Sequence, residues 1–357
     1  MSYVRENIEA LEPYVPGEQP DDVSVVKLNT NENPYPPPAP VLDAIRAVSG
    51  EQLRRYPPAA ADRFRGVAAA VHDVAAESVI ATNGGDELLR LAVTVFCESA
   101  QRGGLAVTRP TYSLYPTLGR IAGTAVVEVD LDDEFGIPDD FAGRVVAAGC
   151  RLAILVSPHA PTGLPRPLAT LDAIARRLAG EAVLLVDEAY VDFADADALD
   201  LVRGGALDNV LVLRTLSKGY ALAGLRFGYG IGTPSLVAAL DKARDSYNTD
   251  IVSQVAATAA LEHRDEASES WRRVRAERSS MVERLDARGF TILPSASNFV
   301  LARAPETPGA AALYESLKQR RIFVRYFDQP RLSDRLRITV GLPEQNQALI
   351  AALDEIL

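Results

Sequence analysis

The chain has 357 residues, 48% of them hydrophobic and 24% charged, the balance of a globular protein with room for a large domain and a smaller one. Its 37 basic and 48 acidic side chains leave a net charge of −11, which argues against nucleic acid or an anionic membrane as the main partner. An anionic substrate would therefore need a local basic pocket. No apolar run approaches the ~20 residues of a membrane span. The opening Met1-Ser2-Tyr3-Val4-Arg5-Glu6 has no basic stretch leading into an apolar one, so no signal peptide and a cytoplasmic location are expected. Cys97 and Cys150 stand far apart in apolar surroundings and read as buried free thiols, with a disulfide as the alternative. His72, His159 and His263 form no metal-ligand spacing, no Gly-x-Ser-x-Gly elbow occurs, and no metal is expected.

Residues 1–40 are irregular and end in Asn31-Glu32-Asn33-Pro34-Tyr35-Pro36-Pro37-Pro38. Consecutive prolines cannot be helical, so the segment reads as an extended arm rather than a packed element. A strand-then-helix rhythm follows, with β-rich runs at 104–108, 125–130, 152–156, 182–186 and 209–213 and helical stretches such as 86–97 and 165–180. Several runs are apolar on successive residues, as strands covered on both faces are. The rhythm predicts an α/β fold with a mostly parallel sheet sandwiched by helices. After about residue 250 it changes. Helical patterns at 252–263 and 268–288 lead to the short apolar runs 290–293, 298–301 and 336–340 and to helices near 308–320 and 343–356. The expected organisation is an arm (1–34), a large domain (35–250) and a smaller α+β domain (251–357).

Ligands of an open α/β sheet sit beyond the carboxyl ends of its strands. After a short strand at 78–81 stands Asn83-Gly84-Gly85-Asp86-Glu87. Its glycines allow close backbone approach, and the following helix offers free N–H groups to an anion such as phosphate. A plain glycine turn with a capping Asp is the bland alternative. After 182–186 comes Asp187-Glu188-Ala189-Tyr190. A carboxylate buried at a strand end needs a positive partner, which a protonated pyridine nitrogen would supply, though a helix cap fits too. After 209–213 comes Arg214-Thr215-Leu216-Ser217-Lys218-Gly219, with Arg226 eight residues beyond the lysine. A lysine there can form a Schiff base, while Thr215, Ser217 and Arg226 can bind a dianionic phosphate. Together the three segments supply a phosphate cup, a ring-nitrogen partner and an imine lysine.

On these residues the sequence resembles the fold-type-I pyridoxal-phosphate aminotransferases, and within them the histidinol-phosphate aminotransferases. The likeness runs from Leu11-Glu12-Pro13-Tyr14-Val15-Pro16-Gly17 and Leu28 to Tyr35 through Arg55-Tyr56-Pro57 and Pro110 to Tyr115. It continues through Arg214 to Tyr229, Ser297-Asn298-Phe299-Val300 and Leu336 to Gly341. The resemblance implies pyridoxal 5'-phosphate as cofactor and transamination between L-histidinol phosphate and 2-oxoglutarate. By the same likeness the catalytic residues are Lys218, Asp187 and Tyr190, with Tyr112 stacking on the ring. The phosphate would be held by Gly85, Asp86, Thr215, Ser217 and Arg226, plus Tyr56 from a second subunit, hence a homodimer with shared sites. Tyr14, Arg325 and Arg337 would face the substrate.

One departure is plain. Relatives read Ser-Pro-Asn-Asn-Pro-Thr-Gly where this chain reads Ser157-Pro158-His159-Ala160-Pro161-Thr162-Gly163. Ala160 cannot supply the amide that donates to the cofactor's phenolic oxygen, which leaves His159 either as a substitute donor or as a turn residue. A nicotinamide dehydrogenase lacks support, because Gly228-Tyr229-Gly230-Ile231-Gly232 does not have the Gly-x-Gly-x-x-Gly spacing. A DNA-binding regulator lacks a module ahead of the arm. An aromatic or broad aminotransferase and a threonine-phosphate decarboxylase remain the rival enzymes.

Overall fold

The computed structural model describes residues 3–12, 17–20, 22, 24–98 and 103–357. Its strands are β1 (Val26–Lys27), β2 (Val79–Thr82), β3 (Leu105–Arg109), β4 (Val126–Asp130), β5 (Leu152–Val156), β6 (Val183–Asp187) and β7 (Val210–Thr215). β8 (Gly228–Gly232), β9 (Thr291–Ile292), β10 (Phe299–Arg303), β11 (Ile322–Phe323), β12 (Arg325–Tyr326) and β13 (Arg335–Thr339) complete the set. Seven form one sheet in the order β2-β8-β7-β6-β5-β3-β4. It is parallel except for β8, which runs antiparallel to both β2 and β7. β5, β6 and β7 are buried along their whole length, which is why they read as unbroken apolar runs.

β8 is the strand that apolar periodicity does not reveal, because three of its five residues are glycine. A Cβ on Gly228 would lie 2.7 Å from the Gly84 carbonyl carbon and the Gly85 nitrogen, and one on Gly230 would lie 2.9 Å from Leu88 Cδ2. The glycines let helix Gly84–Phe96 lie directly on the sheet. That contact sets the start of this helix at the sheet's ligand edge.

A four-stranded antiparallel sheet, β12-β13-β10-β9, forms the second layer system. Helix Ile251–Glu262 packs on helices Ala39–Arg46 and Asp62–His72, whereas Arg264–Asp286 reaches β9 and β10.

The expectation of an unpacked arm is overturned. β1 pairs in parallel with β11, Leu28 N–H donates to Phe323 O (2.7 Å) and Thr339 N–H donates to Leu28 O (2.9 Å). Leu28, Asn29 and Asn31 are buried. The proline cluster starts at Pro34, and the Val25-Val26-Lys27-Leu28 run before it keeps its N–H groups and its β-branched side chains for pairing. The segment 28–33 is thereby drawn across the gap between the two sheets. Among the described residues no helix is long and apolar enough to cross a membrane.

Candidate active site

Three strand mouths of the large sheet supply the site. At the end of β6, Asp187 is buried. Its Oδ2 accepts the Tyr115 hydroxyl (2.7 Å) and its Oδ1 the Ala189 N–H (2.9 Å). Burial pushes this carboxyl up to about 6 against the pull of those two donors, with Asp86 adding to the rise. A buried carboxyl with two donors and, among the described residues, no salt bridge can take one cation. Next to it, Glu188 pairs with Arg214 (2.8 Å), which also reaches Asp197 (3.0 Å). That buried ion pair braces the ends of β6 and β7 side by side.

At the end of β7, Lys218 Nζ donates to Thr30 O (3.1 Å) and sits 5.8 Å from the centre of the Tyr190 ring. Enclosure, then the positive charges of Arg337 and Arg226, lower its ammonium to about 8, with Glu32 and Asp86 opposing. The Tyr190 hydroxyl accepts from Asn31 Nδ2 (3.0 Å), and its ring packs edge-on against Phe299 at 5.1 Å.

The third mouth is the turn from β2. Gly84 has φ +76°, and a Cβ there would come 2.9 Å from Arg226 Nη2, so only glycine leaves the guanidinium its place. Arg226 donates to Asp86 Oδ2 (3.3 Å), Ser217 Oγ (3.4 Å) and Ala223 O (3.2 Å). Thr215 Oγ1 donates to Ser217 Oγ (3.0 Å). Gly85, Asp86, Thr215, Ser217 and Arg226 therefore meet in one cup at the N-terminus of helix Gly84–Phe96. A helix N-terminus, two hydroxyls and a guanidinium are groups that can bind a phosphate.

The other residues singled out by sequence are placed as follows. Tyr112 is half-buried, and its ring stands perpendicular to that of Tyr115 at 5.5 Å. Arg337 on β13 donates to Asn29 O (3.0 Å), and its guanidinium lies between Phe299 (5.3 Å) and Phe327 (5.4 Å). Arg325 on β12 lies on the same Phe327 ring at 5.3 Å. Tyr56 is 81% exposed and stacks on Tyr247 at 4.5 Å. Tyr14 lies outside the described residues. His159 is a turn residue: Nδ1 meets Thr162 Oγ1 at 2.8 Å and Nε2 meets Pro110 O at 3.2 Å. A carbonyl only accepts, so Nε2 carries the proton and Nδ1 accepts from Thr162, as assigned by the network. Burial, then Arg166, holds its pKa well below the usual histidine range.

Sequence reasoning did not give roles to Tyr115, Asn31 or Thr339. Tyr115 stands in the first turn of helix Leu114–Ala122, three residues after Tyr112, and this nearness in sequence is the available signal.

The match to the family model "Aminotransferase class I and II" spans residues 23–353. The histidinol-phosphate aminotransferase 1 of Trichormus variabilis is 41% identical over 357 residues, covering 100% of this chain and 99% of that one. The chain belongs to the class I and II aminotransferases, among the histidinol-phosphate aminotransferases. The histidinol-phosphate aminotransferase 1 of Burkholderia pseudomallei is 43% identical over 362 residues and 99% of both chains. Among solved structures, the histidinol-phosphate aminotransferase of Sinorhizobium meliloti, determined in complex with pyridoxal-5'-phosphate, superposes with a TM-score of 0.88. It is 27% identical and covers 100% of this chain and 98% of that one. The L-threonine-O-3-phosphate decarboxylase of Porphyromonas gingivalis shares the fold (TM-score 0.79, 19% identity, 93% of this chain and 99% of that one). As an aminotransferase of this family, the chain has its candidate catalytic groups on the edge of the sheet where the fold places ligands.

Proposed function

We propose that this aminotransferase holds pyridoxal 5'-phosphate through Lys218 and transfers the amino group between L-histidinol phosphate and 2-oxoglutarate. The observation that carries the cofactor assignment is the convergence of an amine, a buried carboxyl and an anion cup at three strand mouths. The residues fit the group: Asp187 has room in its charge balance for a protonated ring nitrogen, and the Gly84–Arg226 cradle fits a phosphate. When bound, the cofactor supplies a carbonyl carbon that accepts the amino group and a conjugated ring that withdraws electrons from the substrate's Cα. Lys218, with its ammonium lowered to about 8, presents a neutral amine to a useful fraction near neutral pH. It is suited to act as nucleophile and to carry a proton to and from the substrate. Asp187 would keep the ring nitrogen protonated, Tyr190 would donate to the phenolic oxygen, and Tyr112 would stack on the ring.

The substrate assignment rests on the relatives' names together with Arg325 and Arg337, which share Phe327 and face the arm. A guanidinium fork takes a carboxylate or a phosphate in the same bidentate way, so Arg337 can serve glutamate and histidinol phosphate alike. Tyr14, at the arm, is assigned to the substrate phosphate with Arg325. The shared-site homodimer belongs to the same reading, in which Tyr56, exposed and stacked on Tyr247, would reach the partner's cofactor phosphate.

Borohydride reduction of the loaded protein should fix the cofactor to Lys218, read by peptide mass spectrometry. Lys218→Ala should lower turnover roughly 10⁴-fold or more. Full turnover in Lys218→Ala would end the reading. Sedimentation at working concentration should show a dimer, and a fully active monomer would contradict the shared site.

A further inference from the structure

Asn31 is 1% exposed and holds a left-handed backbone, φ 57°, which asparagine tolerates better than most residues. Its side chain and main chain are both committed. Backbone N–H donates to Thr339 Oγ1 (3.0 Å), and the carbonyl accepts from Asn298 Nδ2 (2.9 Å). Side-chain Oδ1 receives the Thr339 hydroxyl (3.1 Å), and Nδ2 reaches Tyr190 Oη (3.0 Å). The hydrogen-bond network assigns the direction of each proton. Thr339 Oγ1 accepts from the Asn31 N–H, so its own proton is free for Oδ1. With Oδ1 engaged, the amide presents its NH₂ to Tyr190, and the phenol oxygen must accept there. The Tyr190 proton is then turned away from Asn31. A hydroxyl that accepts one hydrogen bond is a stronger donor in the next.

We propose that Asn31 is a positioning residue for the transamination, directing the Tyr190 hydroxyl to donate toward the cofactor's phenolic oxygen, with Thr339 setting the amide's orientation. The inference rests on the reading of Tyr190 given above. It carries particular weight in this chain, because Ala160 has no donor and His159 has both ring nitrogens committed within its own turn. Thr339 stands two residues from Arg337 on β13, hence on the same face of the strand. The strand assigned to the substrate anion therefore also starts the hydrogen-bond chain that ends at the cofactor. The charged groups facing Tyr190 are Arg337, Asp187 and Lys218, with Tyr115 also near it. None of these is altered by changing Asn31 or Thr339.

The test is a pH titration of the visible absorbance of the cofactor-loaded full chain. Weaker donation to the phenolic oxygen leaves that oxygen a better partner for the neighbouring proton, so the midpoint should rise. Tyr190→Phe should move it most, and Asn31→Ala should move it in the same direction by about half a pH unit or more. Asn31→Asp keeps the shape and tolerates the backbone conformation but accepts the Tyr190 proton, so it should shift the midpoint at least as far as Asn31→Ala. Thr339→Val should follow Asn31→Ala, and Thr339→Ser should restore the wild-type midpoint. In the cofactor-free protein, ¹³Cζ-tyrosine NMR should show Tyr190 titrating higher in Asn31→Ala, because a donor to the phenolate is gone. If Tyr190→Phe moves the absorbance midpoint while both Asn31 variants leave it unchanged, the inference is overturned and the reading of Tyr190 stands. If Tyr190→Phe itself leaves it unchanged, that reading fails and takes the inference with it.

Discussion

The Asp187 end of the site, at the close of β6, and the Arg226 end, in the loop that leads into β8, lie at the same edge of the sheet but are built in opposite ways. Asp187 is buried, with each carboxyl oxygen held by one donor, Tyr115 or Ala189. Arg226 is half exposed, its side chain 49% accessible, and it leans on Asp86, Ser217 and a carbonyl. The contrast follows from what each end is assigned to hold. A single proton on a ring nitrogen is controlled only where water is excluded and the acceptor cannot move. A dianionic phosphate can be shared among several partial donors, none of them indispensable.

Removing the dry end should therefore cost the most. Asp187→Ala should lower turnover by about 10²–10³-fold even with saturating cofactor, measured as single-turnover rate. Removing the open end should act on retention instead. Arg226→Ala should weaken cofactor affinity by about 10- to 100-fold, as loss of a charged hydrogen bond does, and leave the rate at saturation within about tenfold. Equal losses of rate in both variants would erase the distinction. A smaller effect concerns the lysine between the two ends. Its folded-state pKa is depressed to about 8 by enclosure and then by Arg337 and Arg226, so the nucleophilic neutral amine is the minor form below that pH. Capture of pyridoxal 5'-phosphate by the cofactor-free protein should speed up as pH rises and level off above about 8. Arg337→Gln should move that midpoint upward by removing a like charge.

Both ends are legible in the sequence, whereas the residues that brace them are not. Asp187 closes the apolar strand β6 and Lys218 follows the apolar strand β7, with Arg226 eight residues beyond the lysine, so position at a strand mouth and residue type together point to them. The large sheet was visible for the same reason, because β5, β6 and β7 are buried on both faces. β8 was hidden by its glycines, which exist to admit a helix rather than to fill a core. The arm was misjudged because its prolines dominate the local pattern, whereas the pairing partner that buries Leu28 is β11, nearly 300 residues away. Tyr115, Asn31 and Thr339 act through contacts between distant segments: Asn31 meets Thr339 across 308 positions. No local periodicity carries such a pairing. His159 illustrates the same limit, since only its bonds to Thr162 and Pro110 show that it serves the turn.

The central claim is the identity of the amino donor, and the most direct measurement is a set of half-reactions followed by absorbance. Loaded protein is mixed separately with L-histidinol phosphate, L-histidinol, phenylalanine and threonine phosphate. On the proposed assignment of Arg325 and Arg337 to an anionic substrate tail, histidinol phosphate should react fastest, ahead of histidinol by about tenfold or more, the loss of one charged hydrogen-bonded contact. Arg325→Ala should narrow that gap. Equal rates with histidinol and histidinol phosphate, a faster reaction with phenylalanine, or release of carbon dioxide from threonine phosphate would contradict the account.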